Sequence, residues 1–289
     1  MTGDPIDATL ARRLVREQFP RWRDLPVRPV DADGWDNRTF RLGEELSIRL
    51  PSGPGYAPQV RKEIADLPRI AAGVSLPVPE IVGIGAPDTG YPFEWTVRRW
   101  IDGIPLAEAS GVDSRRLALD VAAFLRELAA VDPSGGPAPG PHSAGRGGPV
   151  AQWDREVVDA LNRLEGRADG PVDAPAARRV WNAALGADDS GPTRWFHGDV
   201  AVRNLLTTDG RLSAVIDFGC AGVGDTACDL VFGWNVLEHD ARDAFRRALD
   251  VDDAAWARGA GWALWKALIT VDDPLRHRES AFALRQLLG

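Results

Sequence analysis

Lysine is nearly missing from this sequence. Of 34 basic residues only Lys62 and Lys266 are lysines, and the rest are arginines. Positive charge is also in deficit: 42 acidic residues leave a net charge of −8. That balance excludes non-specific binding to nucleic-acid phosphates and adhesion to an anionic membrane, while a cationic small partner stays compatible. Cysteine is scarce, with Cys220 and Cys228 alone. Their spacing makes neither a disulfide framework nor a metal site, which predicts a reduced, cytoplasmic protein. No apolar run approaches the length of a membrane span. The start, Met1-Thr2-Gly3-Asp4-Pro5, predicts no secretory leader. What is present is a globular composition: 44% hydrophobic and 26% charged residues over 289 positions. A chain of this length buries roughly 75% of its unfolded surface and needs no covalent staple.

The pattern along the chain changes character once. A helix is predicted from Asp7 to Phe19, followed by extended segments at Val27–Val30, Arg38–Leu42 and Glu45–Leu50. Pro58–Ala71 reads as helix, with Pro68 expected to kink or end it. Extended runs return at Glu80–Gly85 and Phe93–Ile101. Beyond Gly103 helical spacing dominates: Ser114–Val131, Trp153–Leu164 and Pro175–Leu185, then helices from Thr226 onward. Between Pro133 and Pro149, 11 of 17 residues are Gly or Pro, which predicts a surface loop. The expectation is α+β: a small strand-rich lobe (1–101) and a larger, mostly helical lobe (102–289), without internal repeats.

One segment interrupts the helical half. His197-Gly198-Asp199 opens a loop that continues to Asn204-Leu205-Leu206. Asp209-Gly210 is a hairpin turn signal, and the next run, Ala214-Val215-Ile216, ends in Asp217-Phe218-Gly219. A hairpin brings Asp217 back beside the loop carrying Asp199 and Asn204. Two carboxylates and an amide oxygen then share one place. Mg²⁺ takes such hard oxygens together with water and substrate phosphates. Phosphoryl transfer needs that set: metal ligands to neutralise the β- and γ-phosphates, and a carboxylate to orient a hydroxyl and take its proton. Either aspartate alone is equally well read as a turn cap.

The order Asp-x4-Asn-x12-Asp-Phe-Gly, with His-Gly-Asp before it and Gly-x-Gly-Asp-x-x-x-Asp-Leu (Gly222–Leu230) after it, resembles the aminoglycoside phosphotransferase family. That family has a protein-kinase-like fold: a small lobe with an antiparallel sheet and a larger, mostly helical lobe. It includes macrolide kinases and choline-kinase-like enzymes. The resemblance implies Asp199 as catalytic base, Asn204 and Asp217 as Mg²⁺ ligands, and His197 as a brace of the catalytic loop. Asp225 and Asp229 would brace the segment after the metal loop or face substrate.

In the upper lobe it implies a basic residue on the third strand that contacts the phosphates of ATP (or GTP) and pairs with a helix glutamate. Arg49 and Glu63 hold those positions, with Arg in place of the usual Lys. Lys62 lies on the wrong element for that role. Gly34 to Asn37 would cover the phosphates, although one glycine is sparse for such a loop. Arg99, Trp100 and Ile101 end the last upper strand, where the base would meet backbone groups.

The resemblance implies an active small-molecule kinase that phosphorylates a hydroxyl, with an aminoglycoside- or macrolide-type antibiotic preferred as acceptor. A metabolite kinase (amino alcohol, sugar or homoserine) and a catalytically inactive nucleotide-binding protein are the alternatives. The acids between Glu238 and Asp253 are either an acceptor-facing surface or helix caps. Trp256, Trp262 and Trp265 either line an apolar acceptor pocket or lie in the core. The expected assembly is a monomer or weak dimer, with no nucleic-acid or membrane partner.

Overall fold

Alternation builds the upper half. The computed structural model describes residues 5–30, 36–165 and 172–289. Five antiparallel strands, β1 (Val27–Pro29), β2 (Asn37–Leu42), β3 (Leu46–Pro51), β4 (Ile81–Gly85) and β5 (Trp95–Arg99), pair in the order β1-β2-β3-β5-β4. In the central strands every second residue is apolar. Phe40, Leu42, Ile48, Leu50, Trp95 and Val97 share one core with Ala11, Leu14 and Val15 of α1 (Ala8–Gln18). Each buried Val, Leu, Ile or Phe among them contributes roughly 1.5–3 kcal/mol. Asp7 caps α1 by accepting from the Thr9 and Leu10 N–H groups. The intervening residues, Ser47, Arg49, Thr96 and Arg98, leave the opposite face of the sheet.

That face meets α2 (Ala57–Gly73), which lies between β3 and β4. The helix neither stops nor breaks at Pro68, contrary to expectation. Pro68 sits on the exposed side, where solvent serves the carbonyl that proline leaves without an N–H partner. Leu67 and Ile70, beside it, are buried in the larger core and hold the helix down.

The lower half is built on α3 (Ser114–Ala130), α4 (Asp154–Leu164), α5 (Ala174–Leu185), α6 (Phe232–Asn235), α7 (His239–Leu249), α8 (Asp253–Thr270) and α9 (His277–Leu288). Two short sheets run through it. One joins β6 (Ile104–Pro105), β8 (Leu205–Thr208) and β9 (Arg211–Val215). The other pairs β7 (Arg194–Phe196) with β10 (Gly222–Gly224). The predicted hairpin is β8–β9, turning at Asp209-Gly210. The two-residue β6, which follows the last upper strand, is too short to leave a periodic signal.

The Gly/Pro-rich segment is less superficial than expected. Pro137 O accepts from Val223 N, and Gly147 O accepts from Asp225 N, so the segment clasps β10. Gly147 has φ +81°, and a Cβ there would lie 2.0 Å from the Phe196 ring. The glycines allow this close approach, which bulkier residues would block.

Of Trp256, Trp262 and Trp265, the last two settle in the core through ring packing, and Trp256 is half-buried against Trp234. Trp262 and Trp265 are buried, Trp265 stacks on Trp153 at 4.5 Å, and its indole donates to Glu156. Of the two readings, the structure places Trp262 and Trp265 in the core. In the acidic stretch, Asp252 caps α8 by accepting from Ala255 N, and Asp253 pairs with Arg246. Among the described residues no helix is long and apolar enough to cross a membrane.

Candidate active site

The loop between β7 and β8 is held from below by one buried carboxylate. Asp229 Oδ2 accepts from the His197 N–H and Oδ1 from the Gly198 N–H, each at 2.7 Å. Burial pushes the Asp229 carboxyl up in spite of His197 and both N–H donors. Gly198 has φ +81°, and a Cβ there would come within 2.8 Å of the Cys220 carbonyl, so only glycine makes this bend. His197 is fully buried. Its Nδ1 accepts from the Asp199 N–H at 3.1 Å, which assigns the ring proton to Nε2, 3.1 Å from the Ile216 carbonyl oxygen. His197 thus ties this loop to the strand end that delivers Asp217.

Asn204 completes the loop. Its Nδ2 donates to both the carbonyl and Oδ2 of Asp199, each at 3.0 Å, and its own carbonyl accepts from Ile216 N. With Nδ2 turned to Asp199, Oδ1 is the atom left for a cation. Asp217 stands at φ +67°, a left-handed conformation that aspartate tolerates better than most residues. Arg49 Nη2 donates to its Oδ1 at 2.6 Å, and Gly219 N reaches the same oxygen at 3.4 Å, leaving Oδ2 for a ligand. Burial pushes the Asp217 carboxyl up, but Arg49 outweighs this and holds it below its ordinary value, with Asp199 opposing. Asp199, Asn204 and Asp217 therefore come together as the sequence predicts.

The upper half holds several corrections. Arg49 does not pair with Glu63. Glu63 is bound by Arg98 of β5, Nη2 to Oε2 at 2.6 Å and Nη1 to Oε1 at 3.2 Å. The reason is reach: both arginines leave the same face of the sheet, and Arg98 is the one aligned with the helix carboxylate. Burial pushes the Glu63 carboxyl up, yet Arg98 and then Arg49 bring it below its ordinary value. Arg49 instead joins Asp217 and, at 3.6 Å, Asp36. Burial opposes its charge, but Asp217, Glu63 and Asp36 outweigh that and raise its pKa. Burial and the neighbouring Asp217 raise the Asp36 carboxyl despite Arg49.

Gly34 lies outside the described residues. Asn37 is buried at the start of β2, opposite Pro51. At the strand end the N–H groups of Arg99 and Trp100 are taken by the Glu80 and Glu45 carbonyls. A base contact through backbone N–H would thus narrow to Ile101 and the residues after it, because the residues preceding β4 and β3 take the other two.

Sequence reasoning set Lys62 aside, and it matters. Its Nζ donates to the carbonyls of Gly219 (2.5 Å) and Ala221 (2.8 Å) and lies 3.2 Å from His142 Nδ1. A compact ammonium suits convergent carbonyls, where a planar guanidinium does not. Burial lowers its pKa. Asp36 falls within the expected Gly34 to Asn37 stretch, whereas the ion pairs of Arg98 and Arg258 have no counterpart in the sequence reading. Arg258 clamps Asp225 through Nε at 2.7 Å and Nη2 at 3.1 Å. Arg98 left one signal, a charge inside the apolar alternation of β5.

The donor set fits Mg²⁺. Asn204 Oδ1 and Asp217 Oδ2 are hard oxygens. Among the described residues no three His, Cys, Asp or Glu gather into a metal cluster, and these two oxygens would form part of a coordination shell that phosphates and water complete.

Residues 27–262 match the phosphotransferase enzyme family. The chain is 27% identical over 305 aligned positions to hygromycin-B 4-O-kinase of Escherichia coli, covering 90% of this chain and 85% of that one. Among solved structures it is similar to the GDP complex of wild-type aminoglycoside 2'-phosphotransferase-IIIa, with TM-score 0.68, 19% identity and 97% of both chains covered. It is also similar to macrolide 2'-phosphotransferase MphH from Brachybacterium faecium, with TM-score 0.63, 20% identity and 98% of both chains covered. The chain has the kinase-like fold of these proteins and belongs to the phosphotransferase enzyme family.

Proposed function

We propose that this phosphotransferase moves the γ-phosphoryl group of ATP or GTP onto a hydroxyl of an aminoglycoside- or macrolide-type antibiotic. The observation that carries the reading is the bond from Asn204 Nδ2 to Asp199 Oδ2, which sets base and metal ligand side by side. The relative that is a hygromycin-B kinase favours an aminoglycoside. The net charge of −8 favours a cationic acceptor over an anionic one.

In this reading residues 1–101 hold the nucleotide and residues 102–289 supply the base and the acceptor surface. Arg49 contacts the phosphates, and Ile101 meets the base. Asp199 Oδ1 accepts the proton of the acceptor hydroxyl while Asn204 holds Oδ2, which fixes the direction of the lone pair. Asn204 Oδ1 and Asp217 Oδ2 would hold Mg²⁺, which would supply charge neutralisation along the phosphates. A positioned base contributes on the order of 10²–10⁴-fold. The two free cysteines accord with a cytoplasmic protein, and we place it there as a monomer or weak dimer.

Incubating the protein with MgATP or MgGTP and a panel of aminoglycosides, macrolides, amino alcohols and sugars tests this. Mass spectrometry should show one added phosphoryl group on an antibiotic. Transfer to an amino alcohol or sugar alone would overturn the acceptor. No transfer, with nucleotide binding intact, would overturn the kinase reading.

A further inference from the structure

Two arginines and one glutamate meet on the inner face of the upper sheet, and their pairing is selective. Register sets Arg49 opposite Thr96, and Arg98 lies two residues further along β5, so both side chains leave the same face. Glu63 rises to that face from α2. Arg98 saturates it: two parallel bonds take both carboxylate oxygens, and the side chains are 5% and 2% exposed. Arg98 Nε donates to Thr96 Oγ1 at 2.9 Å, which aims the fork. Arg49 points its Nη2 the other way, to Asp217, while its Nε is buried without an acceptor. Yet Glu63 is close enough to raise the Arg49 pKa.

A buried carboxylate stripped of its partner takes the nearest cation, because leaving it unpaired is costly. Here that cation is Arg49. A fork-to-fork pair between Arg49 and Glu63 would compete directly with phosphate oxygens, which want the same guanidinium edge.

We propose that Arg98 is a positioning residue for the nucleotide: it occupies both oxygens of Glu63 and so keeps Arg49 available to exchange Asp217 for phosphate. The work of a single strand-to-helix ion pair is thereby divided between two arginines. One anchors α2 to the sheet, and the other stays free to serve the ligand. This rests on the reading of Arg49 as the phosphate contact.

The test measures Kd for ADP and GDP with Mg²⁺ by calorimetry in the full chain, alongside melting temperature. Arg98→Met should weaken nucleotide binding about 10-fold, as Glu63 captures Arg49. The double variant Arg98→Met with Glu63→Gln removes the capturing charge and should return Kd to within about 3-fold of the parent, since neighbouring sites couple. A purely structural pair predicts lower melting temperatures without that rescue. The proposal is overturned if Arg98→Met binds like the parent, or if the double variant stays as weak as the single one. Should Arg98→Met fail to fold, Arg98→Gln, which keeps a hydrogen-bond donor but no charge, against Arg98→Gln with Glu63→Gln gives the same comparison. Arg49→Ala separates the failures. An unchanged Kd there removes the phosphate contact on which the inference rests. A weakened Kd there, with an unchanged Kd in Arg98→Met, removes the inference alone.

Discussion

The two halves of the molecule hold their charged groups by different means. In the lower half the two carboxylates around the loop are held from within the segment His197–Leu230: Asp229 by the main-chain N–H groups of His197 and Gly198, and Asp199 by the Asn204 side chain five residues away. In the upper half side chains fix other side chains: Glu63 by Arg98 across 35 residues, and Arg49 by Asp217 across 168. Main-chain N–H groups are immobile once the loop has folded, so the lower site is preorganised. Pairs between side chains far apart in sequence depend on the packing of whole elements, and the proposed exchange of Asp217 for phosphate at Arg49 would use such a pair. In the proposed reading the lower site would serve as a fixed place for chemistry and the upper as an adjustable clasp for a triphosphate.

Breaking the rigid side should have the largest effect. Asp199→Asn should lower kcat by about 10²-fold or more while nucleotide Kd stays within about 3-fold. A rate above a tenth of the parent's would remove Asp199 as base. Asp217→Ala should abolish the Mg²⁺ dependence of nucleotide binding, seen as equal melting shifts with Mg²⁺ and with EDTA. It also leaves Arg49 without its partner, so the adjustable side is disturbed too.

Asp229→Ala leaves two buried N–H groups without an acceptor. It should cost about 1–3 kcal/mol for each, read in denaturant unfolding. An undiminished stability would mean that the loop holds itself.

The comparison sharpens at Lys62, a side chain of the upper half that grips the main chain of the lower. Lys62→Met should weaken Mg²⁺-dependent nucleotide binding by about 3- to 10-fold, because Gly219 and Ala221 lose their donor next to Asp217. Lys62→Arg should fail to restore it.

The smallest effect is a pH effect. The folded Glu63 carboxyl lies below its ordinary value of 4.5, so its ionisation adds stability above that pH. The contribution fades as pH falls through the folded value. Glu63→Gln should flatten that acid limb of the stability curve, and an unchanged limb would place the titration elsewhere.

The same division explains what was legible in the sequence. His197 to Leu230 could be read because its contacts are local or keyed to a single turn. Asp209-Gly210 marks the hairpin, and the hairpin then requires Asp217 to return beside Asn204. The alternation of Leu46-Ser47-Ile48-Arg49-Leu50 placed Arg49 on the inner face of the sheet. Glu63 was found but given the wrong partner, and Lys62 was put aside, because both depend on how α2 rotates against β5 and against the segment after Asp217. Pro68 misled in the same way. A local rule about proline gave way to the burial of Leu67 and Ile70, which only the packed core supplies.

Periodicity and turn chemistry in the chain alone determined the strand-rich and helical halves, the β8–β9 hairpin and the convergence of Asp199, Asn204 and Asp217. These depend on steric and hydrogen-bonding constraints that act within a few residues. Which arginine meets which carboxylate was decided only by the tertiary structure. Coulomb attraction does not distinguish one guanidinium from another, and the choice falls to the geometry that brings Arg98, and not Arg49, within bonding distance of Glu63.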